Sequence, residues 1–336
     1  MSGVVARSRT PVTEALLEIQ APVAQRLDQV VEAMRQILVA DLPLIGSVTD
    51  HLLRMRGKMF RPTLTLLSSA VEGTPEDRAI PAAAVVELMH LATLVHDDSV
   101  DHSVLRRGLP TINALFSHQV SVIMGDFLYS RALTALVRVG DMELMRLLTN
   151  ASNELTIGEM RQLALVDRLA STEEDYYATI RAKTAALLAA ACEIGAVSGA
   201  PRHRKALAAY GDRLGMAFQI ADDIMDYVED SATTGKPSGL DLKERKVTLP
   251  LIGALPSMTP AQRATVDAFF AADEDPDDAS VAQIVEIVIA AGGIEYARRR
   301  GEEFAQEAEA ALASLPDSAA RAALHEAVSY VMNRRA

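Results

Sequence analysis

Two apolar stretches of this sequence each lead into a cluster of three aspartates, and this repeated arrangement constrains the fold more than any other feature. Residues 87–95 are mainly apolar and contain no Gly or Pro, which predicts a buried helix that leads to Asp97 and Asp101. Asp222 and Asp226 have the same spacing and also lie among apolar neighbours. Side chains four residues apart share one helical face, with Cβ atoms about 5–6 Å apart. Each cluster is therefore expected to present paired carboxylates on one helix.

Carboxylates this close repel each other, and the negative end of a helix dipole adds to the repulsion. A cation is therefore expected between them. Ligands that are all oxygen favour a hard ion, and Mg²⁺ takes one or two carboxylates with the rest from water and substrate phosphates. A single acidic cluster in an acidic protein is often solvated surface. Two copies on apolar helices instead predict two carboxylate walls that face one cavity, with Mg²⁺ and a phosphate-bearing substrate between them.

The composition favours an all-α protein. Of the 336 residues, 49% are hydrophobic and only 4% aromatic, with no Trp, so Ala, Leu, Val, Ile and Met must build the core. No linker, strand run or composition shift divides the chain. We therefore expect a flexible tail over residues 1–12 and one helical domain over 13–336, with roughly ten or more helices.

Charge and cysteine content exclude several function classes. The net charge of −12 argues against a nucleic-acid partner, which requires a basic surface. The one cysteine, Cys192, rules out an internal disulfide and fits a reducing compartment, so a cytoplasmic location is expected. No signal peptide is evident. The apolar run 184–200 is rich in Ala and contains Glu193, which favours a buried helix over a membrane span.

Local signals predict several helix boundaries. Thr13 is expected to cap the first helix, Pro62 to occupy a first helical position, and Thr259 to cap a helix that begins at the next residue. A helix over residues 113–139 is expected to be interrupted at Gly125, where a close contact with another helix is also expected.

The motifs taken together resemble those of trans-type polyprenyl diphosphate synthases, most closely the octaprenyl and solanesyl long-chain type, from residue 13 to the end. The matching motifs are Gly57-Lys58-x-x-Arg61-Pro62, Glu87-x-x-His90, Asp97-Asp-x-x-Asp101, Arg106-Arg107-Gly108, Gly125-Asp126, Lys183-Thr184, Phe218-Gln219-x-x-Asp222-Asp-x-x-Asp226, Gly235-Lys236 and Lys246-x-Thr248-Leu-Pro250. One departure is Arg56, where the family usually has Gly. The resemblance implies a helical bundle of the isoprenoid synthase type with a central active-site cavity. It also implies a homodimer that condenses isopentenyl diphosphate with an allylic diphosphate.

The resemblance also implies roles for individual residues. Three Mg²⁺ ions per active site would be held by Asp97, Asp101, Asp222 and Asp226. Isopentenyl diphosphate would be bound by Lys58, Arg61, His90 and Arg107. The allylic diphosphate would be bound by Arg106, Lys183, Lys236 and Lys246. Beside Lys183, the oxygen dipoles of Thr184 and Gln219 would face the reacting carbons.

Product length is expected to depend on side chains behind the first aspartate. Ala92 and Thr93 lie about one turn before Asp97 and are small, which in this family implies an open tunnel. Leu144 and Leu148 share a helical face and are expected to form the tunnel floor. We therefore predict a medium-to-long all-trans product, in the range of quinone side chains. The alternative is a farnesyl or geranylgeranyl diphosphate synthase.

Other functions fit the sequence less well. A di-iron carboxylate bundle needs two Glu-x-x-His motifs, and none of the other six histidines has Glu three residues before it, as His90 has Glu87. A class I terpene cyclase normally lacks the second aspartate cluster. A non-catalytic partner subunit of a heteromeric synthase tends to lose these clusters, and both are whole here.

Overall fold

The structure is a computed structural model that describes residues 11–55, 57–73, 75–106, 108–228 and 239–333. The chain forms two compact units, within the ranges 1–152, 190–208 and 314–326 for the first, and 153–189, 209–313 and 327–336 for the second. Almost every regular element of the described chain is a helix, which confirms the all-α prediction. The single domain over 13–336 and the tail over 1–12 stay predictions, and residues 1–10 lie outside the described residues.

The first half of the chain consists of helices joined by short turns. In order, they are α1 (Pro11–Gln20), α2 (Ala24–Leu38), α3 (Pro43–Arg54), α4 (Phe60–Ser69), α5 (Ala79–Val100), α6 (Ile112–Leu115), α7 (His118–Val139) and α8 (Met142–Leu165). A two-residue antiparallel hairpin, β1 (Leu105–Arg106) and β2 (Leu109–Pro110), follows α5, with Leu105 opposite Pro110.

The second half is also helical. It contains α9 (Glu173–Ile180), a π-helical turn (Arg181–Ala185), α10 (Ala186–Gly199), α11 (Arg204–Val228), α12 (Leu240–Lys243), α13 (Leu249–Ala254), α14 (Pro260–Ala271), α15 (Asp278–Ala290), α16 (Gly293–Leu312) and α17 (Ala319–Met332). Short 3₁₀ turns lie at Ala21–Val23, Pro201–His203 and Leu255–Ser257.

Two predicted helix starts are wrong, and one is confirmed. Thr13 lies within α1, which spans Pro11–Gln20, so the helix start predicted at Thr13 is wrong. Pro62 is the third residue of α4 rather than the first. It fits there because the first four N–H groups of a helix have no partner within the helix. Thr259 caps α14, where it forms a capping box with Gln262.

Gly125 lies inside an unbroken α7, so the predicted interruption is wrong. The close contact is confirmed, because a Cβ atom at Gly125 would lie 2.2 Å from His96 Nε2. The absence of a side chain therefore lets α7 approach α5, and one glycine costs too little helix stability to end a helix that packing supports.

The core of the first unit surrounds α5. This helix packs against α2, α4 and α7, and most of its residues are buried, which confirms the buried helix predicted over residues 87–95. The approach of α10 to α4 is closer still. A Cβ atom at Gly195 would lie 2.1 Å from the backbone oxygen of Thr65. The backbones of α10 and α4 are therefore in direct contact. The first aspartate cluster lies at the end of α5, which α2, α4 and α7 hold in place.

The second unit has its own hydrophobic core, built by buried residues of α9 and α11–α16. Met216, Ile220 and Ile224 of α11 contribute to it at intervals of four residues. Successive helical residues are 100° apart, so Gln219 and Asp223 lie about 80° round the helix from this apolar series. The core therefore fixes the rotation of α11 about its own axis, and with it the direction in which Gln219 and Asp223 point.

By length and composition alone, α5 and α7 are apolar enough to cross a membrane, and the bent pair α15 and α16 passes the same test as one broken segment. The apolar window of α5 is 67% buried within the structure, whereas that of α7 is 33% buried. The apolar residues of α5 are therefore explained by the core. Those of α7 leave an exposed apolar face.

The contact between α10 and α4 gives a test of stability. Gly195→Ala should lower the free energy of unfolding by about 1–3 kcal/mol or more, because the new methyl group must displace a backbone carbonyl. The matched control is Gly46→Ala on α3, where nothing lies within 4 Å of the added Cβ. That change should be neutral or stabilising by up to about 1 kcal/mol. Urea unfolding followed by circular dichroism measures both variants, and equal midpoints would contradict the steric argument.

Candidate active site

The first aspartate cluster occupies the last turn of α5 and the residue after it. The Asp101 backbone N–H donates to the Asp97 carbonyl oxygen at 2.8 Å, which keeps the two residues one helical turn apart. Asp97 is half-buried and Asp101 exposed, whereas Asp98 between them is buried. Both Asp98 oxygens accept hydrogen bonds from Arg106 Nε, at 2.8 and 2.9 Å. The structure thus adds a partner for Arg106 that the sequence did not reveal, while Arg107 lies outside the described residues.

Three of the residues assigned to isopentenyl diphosphate lie on or next to α4 and α5, which pack against each other. Exposed Lys58 precedes α4, half-buried Arg61 lies in its first turn, and half-buried His90 lies on α5. The backbone before α4 turns through Met59 at φ 53°. The Lys58 carbonyl oxygen accepts a hydrogen bond from Gln20 Nε2 at 2.8 Å, which fixes the loop. Arg56 lies outside the described residues.

The residues assigned to product length belong to the first unit. Ala92, Leu144 and Leu148 are buried. Thr93 is half-buried, and its hydroxyl donates to the His90 carbonyl oxygen at 2.8 Å. Their role in setting product length stays a prediction.

The second unit contains a cavity of about 150 Å³ in which several predicted residues meet. Its polar lining includes Lys183, Thr184, Gln219, Asp223, Asp241 and Lys246. Its apolar lining includes Leu165, Val166, Ile180 and Val247. Three separate sequence motifs supply the predicted residues Lys183, Thr184, Gln219 and Lys246, and the fold brings them to one space. Lys236 is among residues 229–238, which lie outside the described residues.

Lys183 and Thr184 lie in the π-helical turn between α9 and α10, and such turns are frequent at functional sites. A Cβ atom at Gly158 of α8 would lie 2.6 Å from the Lys183 backbone nitrogen, so α8 contacts this turn directly. Lys183 Nζ donates to Glu159 Oε2 at 2.9 Å and to Gln162 Oε1 at 3.1 Å. The cation is therefore held at the cavity by α8.

A chain of hydrogen bonds links Thr184 to the buried aspartate of the second cluster. Thr184 Oγ1 donates to Gln219 Oε1 at 2.7 Å, and Gln219 Nε2 donates to Asp223 Oδ1 at 2.8 Å. The Tyr176 hydroxyl donates to Asp223 Oδ2 at 2.7 Å. The sequence predicted Thr184 and Gln219 but missed Tyr176 and the separate role of Asp223.

Asp222 and Asp226 are half-buried on α11, as the helical spacing predicts. The oxygens of Asp226 accept the backbone N–H groups of Leu240 at 3.1 Å and Asp241 at 3.0 Å. Asp226 therefore also holds the start of α12. Lys246 Nζ contacts Glu244 and lies 3.9 Å from Asp241 Oδ1.

The carboxyl groups of this unit are crowded in a partly buried space. Burial raises the pKa of Asp226 above its usual range. Burial raises the pKa of Asp241 to about 7, and the neighbouring Asp226 carboxylate adds to the rise. Burial, followed by the charge of Asp241, also raises the pKa of Asp223 well above its usual range. These carboxyl groups would ionise more readily beside an added cation.

The donor set suits a hard cation that brings other ligands with it. Within the described part of the chain, no group of three or more His, Cys, Asp or Glu side chains forms a metal site by itself. Mg²⁺ does not need such a group, because it keeps several waters and takes phosphate oxygens from a substrate. The half-buried carboxylates of α11 and the nearby lysines therefore fit a metal–diphosphate complex.

Comparisons with known proteins agree with this chemistry. A polyprenyl synthetase family model matches residues 42–288. The chain is 37% identical over 319 residues to an all-trans-nonaprenyl-diphosphate synthase (geranyl-diphosphate specific) from Rhodobacter capsulatus, with 94% of this chain and 97% of the relative covered. It is 37% identical over 311 residues to an octaprenyl diphosphate synthase from Escherichia coli K12, with 92% and 96% covered. A crystal structure of a polyprenyl synthase from Caulobacter crescentus CB15, complexed with calcium and isoprenyl diphosphate, matches with a TM-score of 0.87 at 34% identity, covering 98% of this chain and 100% of that one.

The raised pKa of Asp241 predicts a pH dependence of stability in the absence of divalent metal. An unfolded Asp ionises near pH 4, whereas the folded Asp241 carboxyl keeps its proton to about pH 7. Between these values the folded state binds more protons, so the free energy of unfolding should fall as the pH rises.

Asp241→Asn should remove this contribution, which we expect to amount to roughly 1–3 kcal/mol. Urea unfolding at pH 5 and pH 8 with EDTA present measures it. Asp267→Asn, at an exposed position of α14, is the matched control and should keep the wild-type pH dependence. The same dependence in Asp241→Asn would contradict the assignment.

Proposed function

The chain belongs to the polyprenyl synthetase family, and from this premise we propose how its residues carry out the reaction. It is a prenyltransferase that elongates an all-trans prenyl chain and yields a long-chain polyprenyl diphosphate. Isopentenyl diphosphate and an allylic diphosphate are the substrates. The observation that carries the proposed roles is the cavity of the second unit, which gathers Lys183, Thr184, Gln219 and Lys246.

The metal of the reaction is Mg²⁺, with three ions per active site. Asp97 and Asp101 on one helix, and Asp222 and Asp226 on the other, would hold it. Support comes from the half-buried carboxylates of α11 and from the raised pKa of Asp226. Mg²⁺ supplies charge neutralisation for a departing diphosphate when it is bound.

The allylic diphosphate binds at the lysines of the cavity, and the family resemblance assigns Arg106 of the first unit the same role. Glu159 and Gln162 hold the Lys183 ammonium at the cavity, and the diphosphate becomes a further acceptor for it. Lys246 adds a second cation on the same cavity. These fixed charges stabilise the leaving group where its charge develops, which is the largest contribution in many enzymes. Lys236 has the same role by family resemblance.

Isopentenyl diphosphate binds at Lys58, Arg61, His90 and Arg107. The support is the packing of α4 against α5, which places the described three of these residues on adjoining elements. The bond between the allylic carbon and diphosphate breaks to give an allylic cation, and the double bond of isopentenyl diphosphate attacks this cation. The proton that is then lost passes to the released diphosphate. None of the cavity side chains has to act as a strong base.

Thr184 and Gln219 stabilise the allylic cation with their oxygen dipoles. A cation of this kind reacts with water, so the apolar lining of the cavity has a direct function in keeping solvent out. The hydroxyl and amide oxygens offer partial negative charge to the cation and are themselves uncharged.

The protein acts as a cytoplasmic homodimer. The support is α7, which exposes Ile123 and Val137 at 68% and 61% on a helix of which only a third of the apolar window is buried. An apolar face of this kind fits a subunit contact. We assign neither α7 nor α5 as a membrane span, since α5 packs in the core of the first unit and carries the aspartate cluster at its end.

The main test of the proposed function is loss of a metal ligand. Asp97→Ala or Asp222→Ala should raise the barrier by at least several kcal/mol and abolish turnover while helical content stays unchanged. Product formation from isopentenyl diphosphate and each of several allylic diphosphates, with Mg²⁺, measures this. Asp267→Ala on the surface of α14 is the matched control and should keep full activity. Near-normal rates in either ligand variant would contradict the two-wall assignment.

Product length tests the assignment of Ala92 and Thr93. Thr93→Phe, alone and combined with Ala92→Phe, should give clearly shorter products, because an aromatic ring one turn behind Asp97 blocks the growing chain. The single variant matters because Thr93 is half-buried, whereas a larger side chain at buried Ala92 also costs about 1–3 kcal/mol of stability. Chromatographic sizing of the products checks this. A wild-type product of only fifteen or twenty carbons would show that other residues close the tunnel.

The subunit contact is tested by charge. Ile123→Glu should convert the dimer to a species of the 36.1 kDa chain mass in sedimentation, because a buried unpaired carboxylate is costly at an interface. Ile289→Glu on α15, also exposed in the chain, is the matched control. A wild-type protein that sediments as an active monomer would refute the dimer.

A further inference from the structure

Tyr176 belongs to none of the sequence motifs, yet it is hydrogen-bonded to Asp223, which is linked through Gln219 to Thr184 at the cavity. Tyr176 lies on α9 and is 5% exposed, and its ring belongs to the core of the second unit. Its hydroxyl donates to Asp223 Oδ2 at 2.7 Å. Asp223 Oδ1 accepts from Gln219 Nε2 at 2.8 Å. Tyr176 is thus one carboxyl group away from the amide that faces the cavity.

The orientation of the Gln219 amide decides what the cavity presents to a substrate. One end of an amide is an acceptor and the other a double donor, and the two ends have nearly the same shape. Asp223 Oδ1 accepts from the nitrogen, and the Thr184 hydroxyl donates to the oxygen at 2.7 Å. Asp223 Oδ1 therefore selects this orientation, and the Thr184 hydroxyl, which can donate or accept, adopts the matching direction.

This orientation also determines the direction of the Thr184 hydroxyl. A threonine hydroxyl has one proton and two lone pairs. Because its proton is donated to Gln219 Oε1, Thr184 presents only lone pairs to the cavity. A reversed amide would place an N–H group at this position, and the Thr184 proton would turn elsewhere. Lone pairs attract a carbocation, whereas an O–H or N–H dipole pointing into the cavity repels it.

Asp223 can hold the amide only while its own carboxyl plane is fixed. A carboxyl group rotates about its last bond, and its two oxygens are equivalent until neighbours distinguish them. Tyr176 engages Oδ2 from α9, while Gln219 engages Oδ1 from the same helix as Asp223. Burial keeps the pKa of the Tyr176 hydroxyl well above its usual value, so it remains an O–H group. Oδ1 accepts from the amide whether the carboxyl is neutral or charged.

We propose that Tyr176 is a positioning residue for prenyl transfer, acting through Asp223 to fix the Gln219 amide so that Gln219 and Thr184 present oxygen lone pairs to the allylic group. The inference rests on the proposed function and adds a residue that the sequence motifs do not contain. It requires that the contribution of Tyr176 disappears when the Gln219 amide is absent.

The test is a double-mutant cycle on the single-turnover rate of prenyl transfer, with wild type, Tyr176→Phe, Gln219→Met and the double variant. Tyr176→Phe should lower the rate about tenfold and change the KM for either substrate by less than about threefold. In the Gln219→Met background the same change should alter the rate by less than about twofold, because no amide remains to be oriented.

Tyr177→Phe is the matched control. It removes the same hydroxyl one residue later, where the partners are Glu173 and Arg300 rather than Asp223, and it should keep the wild-type rate. Unfolding midpoints of both tyrosine variants separate a stability effect from an effect on the rate.

The outcomes are distinct. A rate loss of threefold or more in Tyr176→Phe that disappears in the Gln219→Met background supports the inference. A smaller loss, or one that persists in that background, overturns it while leaving the proposed function intact. Wild-type protein that forms no prenyl product would overturn the proposed function itself, and with it the inference.

Discussion

Carboxylates on apolar helices are the constraint on which this structure depends. Removing a charged group from water is costly unless hydrogen bonds or a counter-charge replace the water. The fold supplies a partner for each buried aspartate: Arg106 for Asp98, and Tyr176 with Gln219 for Asp223. In the proposed function, the half-buried Asp97, Asp222 and Asp226 would also bind a cation that arrives with its substrate.

A close contact between two helix backbones sets the position of the Lys183 ammonium. Gly158 lets α8 reach the π-helical turn, so that Glu159 and Gln162 can hold the Lys183 ammonium. A methyl group there would push against the Lys183 backbone rather than against a flexible side chain. The cation is therefore aimed by the packing of two helices. A long lysine side chain anchored in this way has less freedom to lose when it binds a ligand.

The sequence predicted the secondary-structure elements better than it predicted the hydrogen-bond partners of the site residues. Apolar spacing and the Thr259 cap are local signals, and both are confirmed. The motifs also identified Lys183 and Gln219, which share the cavity. The Tyr176–Asp223 bond joins residues 47 positions apart, and no local pattern distinguishes this tyrosine from a core aromatic. Glycine was also a poor guide to helix boundaries. Its low helix propensity predicts a break at Gly125, but the close packing of α7 against His96 keeps the helix continuous there.

In both clusters the second aspartate is buried and the first and last are not, and helix geometry explains why. Adjacent residues on a helix point about 100° apart, so the second aspartate of each cluster cannot share the face of the first and the last. Asp98 and Asp223 are each 4% exposed and turned to a neighbour that the fold provides. Asp97 and Asp222 remain half-buried on the other face. A pattern of adjacent aspartates therefore turns the inner carboxyl group to a hydrogen-bond partner within the fold and the outer pair to another face, where the proposed function has them bind Mg²⁺.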